Sequence, residues 1–181
     1  MVSRVVLTYA DYAALPDDGR RYELYEGEIE MTPAPTTSHQ RVLGNLYFLL
    51  RQYVQDRHAG EVFVAPIDLI LSDVTVVQPD LLVVLNERRH VITERGIEGP
   101  TDLVVEILSP TTASRDRGIK MQLYARYRIP HYWLVDPDTQ TLEAYQLEEG
   151  SYLLIGSLYG AGAYTPPFLP GLSISGTLLW P

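Results

Sequence analysis

The chain contains no cysteine. That excludes disulfides, thiolate metal sites and a cysteine nucleophile together, and it fits a reducing interior. Long apolar runs are missing too. The start, Met-Val-Ser-Arg, leads into neither the apolar core nor the small-residue cleavage site of a signal peptide, and no stretch is long enough to span a bilayer. A cytoplasmic protein without a membrane partner is the expectation. Basic residues are scarce: 14 Lys and Arg stand against 23 Asp and Glu, for a formal net charge of −9. Non-specific nucleic-acid coating depends on neutralising many phosphates, so the balance counts against a general coat protein. It does not exclude a nuclease, because local cations can serve one groove. Binding to DNA is then expected to be weak or context-dependent. Internal repeats and dividing linkers are absent as well. With 181 residues, 46% of them hydrophobic, the chain reads as a single domain over 1–181 with a sizeable core.

What is present centres on Asp102-Leu-Val-Val-Glu106-Ile-Leu-Ser-Pro110. Leu103 to Leu108 is apolar except at Glu106, the pattern of a strand buried on both faces. Alternation sends Leu103, Val105 and Ile107 one way and Val104, Glu106 and Leu108 the other. A carboxylate there is costly unless it is paired or metal-bound. After Pro110 the period becomes helical: Ile119, Leu123 and Tyr127 form a stripe, with Lys120 and Tyr124 beside it. Upstream, Gln78-Pro79-Asp80 opens a second apolar run, Leu81 to Leu85.

The remaining elements follow from local chemistry. Thr8 to Leu15 has a helix-like start capped by Thr8. Arg21 to Met31 alternates as a strand or hairpin, with Tyr22, Leu24 and Ile29 inward and Glu26-Gly27 as its turn. Thr37 and Gln40 suit a capping box for a helix carrying Val42, Leu43, Leu46, Tyr47, Leu50, Tyr53 and Val54. Val62 to Leu71 is a strand or bent pair broken by Pro66, and Val76 to Leu85 is the next strand region. The last third is expected to be all-β, ending in a loop-rich tail. The order predicts an α/β (α+β) fold: a central mixed sheet flanked by helices on both faces, with additional hairpins near both ends.

These residues resemble a known family. Tyr22-Glu-Leu-Tyr-Glu-Gly-Glu28, Ser38-His39-Gln40-Arg41, Val77-Gln-Pro-Asp80, Val105-Glu-Ile-Leu-Ser-Pro110, Arg115-Asp-Arg-Gly-Ile-Lys120 and Tyr132-Trp-Leu-Val-Asp136-Pro137, in this order, look like the PD-(D/E)XK nuclease superfamily. Within it they look like the Uma-two branch of endonucleases, long described as a domain of unknown function. The resemblance implies a restriction-endonuclease-like fold and a Mg²⁺- or Mn²⁺-dependent endonuclease that cleaves DNA phosphodiesters with a metal-activated water. The simplest superfamily pattern has a lysine two residues after the glutamate. Here Leu108 stands there, and Lys120 matches the branch's displaced lysine.

On that resemblance Asp80 and Glu106 are the expected metal ligands, and Lys120 the group that orients the water or stabilises charge. Glu28 is a further acid of the family pattern. Arg115 and Arg117 form a local positive stretch for DNA contact. Each has an alternative. Glu106 can be a structural acid paired with an arginine, and Asp80 can simply start a strand. Lys120 can pair with Asp116 on a solvated helix face, Glu28 can sit on a hairpin surface, and both arginines can be solvated. His39, in the first turn of its helix, suits a cap, a phosphate contact or plain surface. Two further classes stay open: a non-catalytic binding or assembly protein on the same fold, and a small-molecule-binding β domain built on the tyrosine-rich last third. The late hairpin edges suit a homodimer.

Overall fold

The computed structural model describes residues 5–180. The opening Met-Val-Ser-Arg, read above as carrying no leader, lies outside the described residues. In chain order the elements are α1 (Tyr9–Ala13), β1 (Arg21–Tyr25), β2 (Glu28–Thr32), α2 (Thr37–Asp56), β3 (Gly60–Val64), β4 (Leu69–Ser72), β5 (Thr75–Val77), β6 (Leu81–Leu85), β7 (Ile97–Glu98) and β8 (Leu103–Ile107). Then come α3 (Ala113–Arg115), α4 (Met121–Arg126), β9 (His131–Asp136), β10 (Thr141–Glu148), β11 (Ser151–Tyr159), β12 (Ala163–Tyr164), β13 (Ile174–Ser175) and α5 (Gly176–Leu179). A single wide π turn, Asp116–Lys120, joins α3 to α4. Among the described residues no helix is long and apolar enough to cross a membrane.

The central sheet has six strands in the order β11-β10-β9-β8-β6-β3. It is mixed: β8 and β9 run parallel, and the other neighbours are antiparallel. Leu81, Val83, Leu103, Val105, Trp133 and Val135 face α2, which inserts Val42, Leu43, Leu46, Leu50 and Val54. The opposite face carries Leu82, Val84, Val104, Tyr132 and Leu134, covered by Leu123 and Tyr124 of α4. Burying one such side chain contributes about 1.5–3 kcal/mol before entropy is counted.

A second sheet, β2-β1-β5-β4-β7, packs on that same face through Tyr25, Val77, Leu69 and Ile97. It was not expected. Val62 to Leu71 reads as a strand or bent pair and Val76 to Leu85 as one strand region, with no change of sheet in either, yet β3 and β6 lie in the central sheet while β4 and β5 lie in the second. The crossover from β5 to β6 is Gln78-Pro79-Asp80, where a proline without an N–H ends one ladder before the next begins. Because β1 is covered by α1 on its outer side and the core on its inner, it is buried at Glu23, Leu24 and Tyr25 rather than on one face. Glu26 and Gly27, with φ of 46° and 84°, make the tight turn to β2.

Two local readings shift. The cap of α2 is Thr36, one residue earlier than expected; its side chain accepts from the N–H of His39 at 3.2 Å. The helical segment after Pro110 buries Asp116, Lys120, Leu123 and Tyr124, while Ile119 is 59% exposed. The extra residue in the π turn rotates the stripe away from Ile119. The tail also forms short α5, where the loop-rich reading expected none. Its Leu179 carbonyl accepts from Asn45 Nδ2 at 3.1 Å.

The cap gives a direct test. Thr36→Ala should lower stability by about 1 kcal/mol in urea unfolding, whereas Thr37→Ala should change it little. Equal losses would contradict the cap position.

Candidate active site

Glu106 is 3% exposed on β8, on the face shared with Val104. Leaving its carboxylate unpartnered there would cost several kcal/mol, on the order of a buried ion without a counter-ion. It is partnered. Lys120 Nζ donates to Glu106 Oε1 at 2.9 Å, and the Tyr124 hydroxyl donates to the same oxygen at 2.6 Å. Lys120 comes from the π turn and is 5% exposed. Its amine lies 3.5 Å from Glu23 Oε1 and 3.7 Å from Asp116 Oδ1 as well. The pair Asp116 and Lys120 is therefore buried, not on a solvated helix face.

Asp80 enters from the crossover. Leu81 pairs with Val105 in antiparallel register. One step further, Asp80 falls opposite Glu106, on the same face. Its Oδ2 accepts the Ile107 N–H at 2.8 Å and lies 3.0 Å from His39 Nε2. His39 is buried, and its Nδ1 has no hydrogen-bond partner among the described residues. Gln78, two residues before Asp80, donates its N–H to Glu23 Oε1 at 2.7 Å. Tyr25 OH donates to the other oxygen of Glu23 at 2.8 Å. Asp68, the acid near the cis Ala65-Pro66 bond, accepts from Tyr12 and from Gln78 Nε2, so it braces the crossover.

Glu23, Glu106 and Asp116 thus gather around one buried ammonium, with Asp80 set beside Glu106. Burial pushes the Glu106 carboxyl above its ordinary range; Asp116, Asp80 and Glu23 add to the push, while Lys120 opposes it. Burial also raises Asp116, against Lys120 and a hydrogen bond from Thr112. For Lys120, burial disfavours the charge, but Glu106 and then Glu23 more than compensate, so the amine stays protonated well above its usual range.

The site opens into a narrow cleft of about 40 Å³, walled by Thr32, Pro33, Ala34 and Pro35 on one side and by Asp80, Glu106 and Lys120 on the other. That is room for an ion and a water or two, not for a nucleotide. Among the described residues no group of three or more His, Asp or Glu side chains forms a ready-made metal cage. A hard divalent cation such as Mg²⁺ does not need one: it binds through one or two carboxylates, keeps waters and completes its shell with substrate oxygens. An all-oxygen pair, Asp80 and Glu106, in a pocket with more acid than base, fits that ion.

The structure brings Asp80, Glu106 and Lys120 together and leaves Glu28 apart. Pairing Tyr25 with Glu28 sets Glu28 at the hairpin turn, where it is exposed and lines a separate depression with Glu26 and Arg126. Glu23, in the strand, is the hairpin acid that lies within the cluster, 3.5 Å from the Lys120 amine. Its signal was present, a lone carboxylate among Tyr22, Leu24 and Tyr25, but a one-faced hairpin reading sent it to solvent. Arg115 and Arg117 are turned to carboxylates instead of a groove. Arg115 reaches Glu30 and, at 3.7 Å, Glu23 Oε2; Arg117 pairs with Glu143. His39 is no surface residue, and only its contact with Asp80, 41 positions away, reveals its place.

A mixed sheet that sets Asp80 opposite Glu106, with a lysine brought back by the helical segment after β8, defines the class: a restriction-endonuclease-like nuclease fold. Residues 9–177 match the Uma2 family, described as "Putative restriction endonuclease", and the chain belongs to that family. It is 27% identical over 161 residues to "Uncharacterized protein sll1609" of Synechocystis sp. (strain PCC 6803), covering 87% of this chain and 90% of that protein. Its fold matches the crystal structure of "a putative nuclease belonging to DUF820" from Anabaena variabilis ATCC 29413 with a TM-score of 0.76. That match spans 96% of this chain and 97% of the other at 20% identity.

Two outcomes follow from the charge balance. Lys120→Met should destabilise the metal-free protein by about 3–5 kcal/mol, because it leaves buried acids unpaired; a loss below about 1 kcal/mol would contradict the pairing. Asp116 binds its proton more tightly folded than unfolded. Its contribution to stability is therefore full below the unfolded carboxyl pKa and is lost as pH rises through the folded value. Asp116→Asn should raise the denaturation midpoint at pH 8 relative to pH 4, and an equal change at both values would refute this.

Proposed function

We propose that the protein is a metal-dependent endodeoxyribonuclease, built as one restriction-endonuclease-like domain, that hydrolyses DNA phosphodiester bonds. The observation that carries the reading is the Lys120 amine 2.9 Å from Glu106, with Asp80 gripping the next backbone N–H, at the foot of a cleft. Asp80 and Glu106 would hold the cation. When bound, a divalent ion supplies Lewis-acid stabilisation of the phosphoryl oxygens and lowers the pKa of a water. Lys120 is fixed to orient the attacking water or to meet charge growing on the phosphoryl group, and its three acidic contacts keep it protonated. Tyr124 anchors Glu106 through Oε1. His39 anchors Asp80 through Oδ2 and sets which way that carboxylate turns.

A second reading, a non-catalytic assembly protein on the same fold, draws on the net charge of −9 and on the Lys120 amine being bound wholly by acids. Manganese titration with a cleavage assay separates the two. The nuclease reading expects Mn²⁺ binding and cleavage of DNA, both abolished by Glu106→Ala. His39→Ala should weaken Mn²⁺ affinity about 10–100-fold while the protein stays folded. Mn²⁺ binding indifferent to Glu106→Ala, with no cleavage of single- or double-stranded DNA, would favour the assembly reading.

A further inference from the structure

A phosphodiester that reaches this cleft meets a local charge problem. Glu23, Asp80, Glu106 and Asp116 outnumber the Lys120 ammonium, and even with a divalent ion the site offers little net attraction for a phosphate. The cations expected to supply it are committed elsewhere: Arg115 to Glu23 and Glu30, Arg117 to Glu143. The cleft wall adds no positive charge either: Thr32, Pro33, Ala34 and Pro35 are neutral, and the two prolines have no N–H to offer.

Arg21 itself is different. It lines the same cleft from the start of β1. Its Nε donates to Gln78 Oε1 at 3.1 Å and its Nη2 to the Gln78 carbonyl at 3.3 Å. Both acceptors are neutral, and Arg21 makes no ion pair among the described residues. The guanidinium is therefore held in place without being neutralised. Gln78 also fixes Glu23 through its N–H and stands two residues before Asp80. The same residue thus sets the distance from Arg21 to the acids.

We infer that Arg21 is the substrate-binding residue that receives a DNA backbone phosphate at the mouth of the cleft, beside the bond to be cut. This rests on the phosphodiesterase reading above. A planar guanidinium held by one edge presents its remaining N–H groups as a fork, which matches phosphate oxygens two at a time. A backbone contact of this kind carries no sequence information, so it acts on all duplexes alike.

The test is binding of a short fluorescent duplex, with Ca²⁺ to suppress cleavage, over a series of salt concentrations. Arg21→Gln should weaken binding roughly tenfold, equally for unrelated sequences. It should also reduce the slope of log affinity against log salt by about one. Mn²⁺ affinity should stay at the wild-type value, because the acids are untouched. Arg21→Lys should restore the salt slope. Wild-type affinity and slope in Arg21→Gln would overturn the assignment while leaving the nuclease reading intact. So would an Arg21→Lys variant, folded by circular dichroism, that fails to recover the slope. Absence of duplex binding by the wild type in any metal would overturn both.

Discussion

The buried ammonium of Lys120 is the constraint on which the rest of the site depends. Three carboxylates lie within 3.7 Å of it, on β1, on β8 and on its own turn. None of those acids is tolerable in an apolar interior alone, and the amine is not tolerable without them. The contact therefore does more than join two side chains. It holds the second sheet, through Glu23, and the helical segment, through Lys120, against the central sheet at one point. The π turn is part of the same solution, since it sends both Asp116 and Lys120 inward, where a regular turn would have kept Ile119 on the buried stripe.

Polar connections extend that point into a frame. Gln78 ties Arg21, Glu23, Asp68 and the approach to Asp80 into one hydrogen-bonded unit. Asp80 then grips the backbone after Glu106 and the ring of His39, which brings α2 into the same network. Two sheets and two helical segments thus converge on acids that would repel one another without a cation. Such an arrangement is poorly explained by stability alone, because apolar residues of similar volume usually stabilise as well or better. It is well explained by a task that needs concentrated negative charge beside one fixed amine.

Much of this was legible in the sequence, and the part that was not has physical reasons. Glu106 stood out because an acid inside an apolar strand must be partnered. Asp80 stood out because it follows a proline and opens an apolar run, as in the family the chain resembles. The mixed sheet with helices on both faces followed from the order of periods. The second sheet did not, because Pro66 read as a break in a strand or bent pair and Pro79 as a residue near a strand start or edge, whereas both mark where the chain leaves one sheet for the other. Glu23 was hidden by the same error: it faces inward only because β1 is covered on both sides. The π turn leaves no trace in residue spacing, so Ile119 looked buried. His39 and the pairing of Arg115 with Glu30 are fixed by residues distant in the chain, which local pattern cannot reveal.

The central claim is that Asp80 and Glu106 form a divalent-cation site beside the Lys120 amine. Anomalous diffraction from crystals grown with Mn²⁺ tests it most directly. The account predicts one strong peak within coordination distance of both carboxylates, roughly 2.0–2.2 Å, with Lys120 still hydrogen-bonded to the acids around it. A map with no peak there at saturating manganese, or with the ion bound only elsewhere, would contradict it.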